Sequence, residues 1–242
     1  MNRVLLAWAV HAFTAIGLVL AAIITVLLVN AGEGAFVYAF ELMLAATAID
    51  ALDGPLARVA RVQQVLPHFD GRRLDDLIDF LNYTCLPLLL IWRAGLLPGS
   101  WTAWLLFPLL ASIYGFSQVD AKTEDGFFLG FPSYWNIVAF YLYFLKLDPG
   151  MNLTVLLILA VLTFVPLRYF YPTQPGLWNR LACAVGVVWG ALLAAILIWP
   201  QVFGRPWLLG SMAFPLCYLM FSWGLCWSRR RRTAGELATS RY

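Results

Sequence analysis

Eight apolar runs dominate this chain, at roughly 5–29, 35–52, 76–97, 101–118, 133–147, 151–170, 178–199 and 207–227. A bilayer's hydrocarbon core takes about 20 apolar residues per helix. A helix also satisfies its own backbone hydrogen bonds where no water can. With 62% hydrophobic and 12% charged residues, an ordinary soluble domain is excluded. The expected fold is therefore all-α: a polytopic integral membrane helix bundle of about eight transmembrane helices. The first run is too long for a signal peptide and lacks a small-residue cleavage site, so it counts as a span. The expected organisation is one transmembrane domain over 1–242, ending in a short tail, 228–242.

Charge supplies the orientation. Eight spans place both termini on one side, and thirteen of the sixteen Lys and Arg residues fall there, among them Arg3, Arg58, Arg61, Arg72, Arg73, Arg168 and the Arg229–Arg232 run. Only Arg93, Lys146 and Arg205 fall opposite. The positive-inside rule then makes the termini cytoplasmic. The net charge of +3 reflects topology and attraction to anionic lipid heads, with no nucleic-acid signature. Cys85, Cys183, Cys217 and Cys226 lie in apolar runs without paired spacing and read as small buried hydrophobes.

Six of the thirteen acidic residues lie between positions 50 and 79, at or just inside the ends of apolar runs. A carboxylate there costs several kcal/mol and is functional by default. Asp50 and Asp53 stand three apart, Asp75 and Asp79 four apart, so each pair projects from one face of a helix. The second span is expected to end at the Asp50/Asp53 turn, before Gly54-Pro55, and the third to start at Leu74. Four converging carboxylates repel unless cations neutralise them, and such hard oxygen donors suit Mg²⁺ or Mn²⁺. Asp70 reads as a turn residue ahead of Gly71. His11, Thr14 and Gly17 form a polar stripe on the first span, either a packing seam or a ligand contact.

The stretch reads Asp50-x-x-Asp53-Gly54-x-x-Ala57-Arg58, then Gly71-x-x-x-Asp75-x-x-x-Asp79. In these residues the chain resembles the CDP-alcohol phosphotransferase family, membrane enzymes of phospholipid synthesis. Twelve residues separate Arg58 from Gly71, a longer spacer than most of the family has. That spacer, the eight spans and the run from Ala121 to Asn136 resemble the bacterial, choline-using branch. The resemblance implies transfer of a phosphatidyl group from CDP-diacylglycerol to choline, releasing CMP, at the cytoplasmic side of the bacterial inner membrane. It implies two divalent ions, Mn²⁺ or Mg²⁺, held by Asp50, Asp53, Asp75 and Asp79, with Asp79 also the general base. Gly54, Ala57, Arg58 and Gly71 would hold the CDP moiety, and a homodimer is the expected assembly.

A quaternary ammonium asks for aromatic faces. Tyr83, one turn beyond Asp79, and Tyr134 are the candidates, with Asn82 as a polar helper and Arg168 as a clamp for a lipid phosphate. Two other functions remain open at this stage. One is a different acceptor, such as serine, inositol or glycerol phosphate, the last of which would want extra basic residues. The other is a cation transporter, against which the carboxylates cluster at one membrane face and no inverted repeat is evident.

Overall fold

A computed structural model describes residues 3–118, 127–170 and 177–224. Apart from one short strand pair, the regular structure among these residues is helical. Every apolar run has a helical counterpart. Four helices are long and apolar enough to cross a membrane: Arg3–Asn30, Ala35–Ala60, Leu181–Ile198 and Arg205–Gly224. The Arg229–Arg232 tail, the loop residues 119–126 and Cys226 lie outside the described residues.

The chain forms two compact units. The first comprises Met1–Phe116 and Ser133–Leu157, the second Ser117–Pro132 and Ile158–Tyr242. The first unit is built on α1 (Arg3–Asn30) and α2 (Ala35–Ala60), which pack along their lengths. The buried stripe of α1 runs Ala7, Val10, His11, Thr14, Gly17, Ala21, Ile24 and Leu28, three or four apart. The buried residues of α2 include Ala39, Met43 and Ala46, and small residues on two packed helices let the backbones approach. Arg93 closes the far end of α1, its guanidinium donating to the Leu28 and Val29 carbonyls at 2.9 and 2.8 Å. A cation there satisfies orphan carbonyls and opposes the negative helix end.

After a short α3 (Val62–Val65), α4 (Gly71–Phe80) begins at an N-cap. The Asp70 carboxylate accepts the Arg73 backbone N–H at 3.0 Å, which bears out the turn reading of Asp70. The helix continues through a π turn (Leu81–Cys85) into α5 (Leu86–Arg93). A 3-10 segment (Gly99–Leu105) leads into α6 (Leu106–Ser117). Next in this unit comes α7 (Trp135–Leu145), fastened by the Trp135 indole donating to Ser112 Oγ at 2.6 Å. A ring cluster of Phe40, Phe140, Tyr143 and Phe144 joins it to α2.

The α8 helix (Pro149–Phe164) starts in the first unit and ends in the second. Within the second unit β1 (Phe127–Leu129) pairs antiparallel with β2 (Arg168–Phe170), Leu129 opposite Arg168. Gly130, at φ +81°, lies so close to the Thr163 carbonyl that no side chain fits. There α9 (Leu177–Ile198) meets the helix that begins as α10 (Arg205–Ser211), with Trp189 stacked on Phe214 at 4.9 Å and donating to the Ser211 carbonyl.

Three boundaries differ from expectation. The second span does not stop at the Asp50/Asp53 turn: α2 runs on to Ala60 with Pro55 inside it. A proline removes the donor to the carbonyl four residues back. Here that carbonyl belongs to Ala51, an exposed residue, and α2 continues past it. The third span starts at Gly71, not at Leu74, because Asp70 caps it there. The run 151–170 is helical only to Phe164, since Pro166 disfavours helix at the residue before it, and the chain turns into β2.

Candidate metal centre

The carboxylates gather where α1, α2 and α4 meet. Asp50 and Asp53 lie one turn apart on α2, Asp75 and Asp79 one turn apart on α4, and all four line one cleft. The ligand atoms of Asp50, Asp75 and Asp79 fall within 4.8 Å of one another, each residue half-buried. Asp53 is not one of that trio. It is more deeply buried, at 6% exposure, and lies against the Thr14 side chain, the Gly54 N–H and the Asp75 carboxyl. Thr14 thus joins the centre.

Two glycines on facing helices bring α4 onto α1. A Cβ at Gly17 would come within 2.8 Å of Ile78 Cγ2 on α4. One at Gly71 would run into the His11 ring on α1. Both positions therefore have a packing reason for glycine. His11 is buried between Phe69, 4.4 Å between ring centroids, and Trp8, at 5.9 Å, and its Nε2 makes no hydrogen bond. Gly54 is less constrained, a Cβ there meeting only Arg58 Nη1 at 3.5 Å. Arg58 is exposed, while Ala57 is half-buried against Ala7, Val10 and Val62.

Beyond Asp79 the π turn aims two residues into the cleft. Asn82 is 4% exposed, and its Nδ2 donates to the Gly17 carbonyl at 3.2 Å and the Ile78 carbonyl at 3.0 Å. Its Oδ1 is buried without a hydrogen-bond partner. The Tyr83 hydroxyl donates to Asp50 Oδ2 at 2.7 Å. The Tyr83 and Tyr134 rings meet edge to face, 6.5 Å between centroids. Arg168, by contrast, belongs to β2 of the second unit. Thr47 was missed by the sequence reading. It stands one turn before Asp50, adjoins Tyr83 and accepts from Asn136 Nδ2 at 3.2 Å. The only sequence signal for it was that three-residue spacing.

Two unit charges at this separation repel by about 3–4 kcal/mol at an effective dielectric near 20. Three such carboxylates at a buried edge need cations or protons between them. The donors are all hard oxygens, so the residues present fit a divalent ion of the Mg²⁺ or Mn²⁺ type.

A polytopic helical bundle with a carboxylate cleft suited to a divalent ion is the frame of a metal-dependent membrane protein. The chain belongs to the CDP-alcohol phosphatidyltransferase family, whose model matches residues 9–167, a stretch that contains every carboxylate of the centre. It is a transferase. Among its relatives, the phosphatidylcholine synthase of Pseudomonas aeruginosa is 37% identical over 93% of this chain and 92% of its own length. That of Legionella pneumophila is 40% identical over 72% of this chain and 68% of its own. That of Borreliella burgdorferi is 31% identical over 77% and 79%. No solved structure matches the chain.

Proposed function

We propose that this protein is a phosphatidylcholine synthase, transferring the phosphatidyl group of CDP-diacylglycerol to choline and releasing CMP. The observation that carries this is the carboxylate trio within 4.8 Å, in a chain 37% identical over 93% of its length to a protein of that activity. Asp50, Asp53, Asp75 and Asp79 would hold two divalent ions, Mn²⁺ or Mg²⁺, which would supply charge neutralisation for the pyrophosphate and the departing CMP.

The chain's own residues do the rest. Arg58 offers a planar donor fork to phosphate oxygens beside Gly54, where no side chain blocks approach. With Ala57 and Gly71 these hold the CDP moiety. The choline oxygen attacks the lipid-side phosphorus, forming the new P–O bond as the bond to the CMP oxygen breaks. Asp79 takes the hydroxyl proton on a carboxylate oxygen. Asn82, Tyr83 and Tyr134 bound the choline end, the tyrosines offering ring faces to the ammonium. Arg168 clamps a lipid phosphate. No Lys or Arg is found among the described residues lining the cleft, which favours choline over glycerol phosphate.

Residues 1–242 read as one catalytic transmembrane domain in the bacterial inner membrane, its centre facing the cytoplasm on the side of the basic majority.

The test is CMP release by purified protein given CDP-diacylglycerol, Mn²⁺ and a panel of acceptors. Release with choline, and not with serine, inositol or glycerol phosphate, is expected. Release with another of these and not choline would overturn the acceptor assignment. No release with any acceptor, alongside cation flux into proteoliposomes, would replace the enzyme with a transporter.

A further inference from the structure

The helix carrying Asp75 and Asp79 changes its winding just beyond them, and the sequence supplies the cause. Pro87 has no N–H to give the Tyr83 carbonyl four residues back, and its ring crowds that carbonyl. The chain widens to a π turn over Leu81–Cys85, with the Leu86 N–H reaching five residues back to the Leu81 carbonyl. Such single-turn bulges recur at functional sites. Here it brings Tyr83, 8% exposed, under α2, where its hydroxyl donates to Asp50 Oδ2 at 2.7 Å.

The hydroxyl does not stand alone. Thr47, one turn before Asp50, adjoins it, and Thr47 Oγ1 accepts from Asn136 Nδ2 in the first turn of α7. Thr47 Oγ1 also donates to the Met43 carbonyl at 2.9 Å, so Thr47 and Asn136 tie α2 to α7 beside the phenol, whose own hydrogen bond ends on a carboxylate of the trio. A buried phenol that spends its hydrogen on one carboxylate oxygen fixes that group's rotation and decides which oxygen faces the other two aspartates.

We infer that Tyr83 is a positioning residue for Asp50, orienting it as a metal ligand through its hydroxyl with Thr47 and Asn136 behind it. This rests on the reading of the trio as a divalent-metal site. It assigns the Tyr83 hydroxyl and the Tyr83 ring separate duties, so the two can be tested apart. Outer hydrogen bonds of this kind are worth roughly 10- to 100-fold in metal affinity.

The experiment is a titration of purified protein with Mn²⁺ alone, free ion being read by its electron paramagnetic resonance signal. Wild type, Tyr83→Phe and Thr47→Val are compared, with choline KM measured at saturating Mn²⁺. Tyr83→Phe keeps the ring and removes the hydroxyl. It should weaken Mn²⁺ binding, measured without choline, roughly tenfold or more. Thr47→Val should shift Mn²⁺ affinity the same way by less. If wild type binds Mn²⁺ and Tyr83→Phe binds it equally well, the inference is wrong, and a raised choline KM would then make Tyr83 a substrate contact only. Wild type that binds no Mn²⁺ would sink the metal reading itself. Should Tyr83→Phe not purify folded, Thr47→Val decides: unchanged Mn²⁺ affinity there overturns the inference.

Discussion

Asp79 is the signature carboxylate deepest along its helix, and its two proposed duties respond differently to one substitution. Asp79→Asn keeps the shape and one oxygen ligand but deletes the basic site. Turnover should fall by roughly 10²-fold or more, the scale of a lost general base, while Mn²⁺ affinity falls far less. Turnover near the wild-type rate at saturating Mn²⁺ would remove Asp79 as the base. Asp50→Asn differs, because Asp50 is proposed as a metal ligand alone: its loss should appear first in metal binding. The residues of the centre were legible because their chemistry is local. Carboxylates three and four apart in apolar sequence can point only one way on a helix, and the Asp70 cap is likewise written within four residues.

At the scale of elements, the approach of α4 to α1 depends on one glycine from each helix. Gly71→Ala would push a methyl into the His11 ring, an overpacking that costs about 1–3 kcal/mol. Activity and thermal stability should both drop, and His11→Ala in the same protein should recover stability. If it does not, Gly71 is there for the nucleotide and not for α1. Pro87→Ala tests the π turn. With a donor restored at position 87 the helix can wind regularly, Tyr83 rotates away from Asp50, and Mn²⁺ affinity should fall as in Tyr83→Phe. An unchanged affinity would mean that packing, not the proline, sets the turn. The helix limits at Asp70 and Pro166 are local signals that hydropathy alone overrode, which placed the ends at Leu74 and 170. The survival of α2 through Gly54-Pro55 runs against the local signal, since proline is expected to end or kink a helix.

At the scale of the whole molecule, the proposed orientation rests on thirteen basic residues against three over the expected eight spans. In a variant without native cysteines, a cysteine introduced at Ser240 should react with a membrane-impermeant maleimide only from the cytoplasmic side. Labelling of intact cells from outside would invert the topology and put the carboxylates at the opposite face. By itself the sequence determined that the protein is a helical membrane protein, and it singled out the four carboxylates that line one cleft. These follow from hydropathy and helical spacing, both properties of neighbouring residues. Only the tertiary structure decided that Asp50, Asp75 and Asp79 close into the tight trio while Asp53 turns toward Thr14 and Asp75. Only it joined Asn136, Thr47 and Tyr83 to Asp50, across as many as 89 positions of sequence. The reason is physical: which faces of α1, α2, α4 and α7 meet is fixed by how small residues and a displaced helical turn pack, and no local pattern encodes that register.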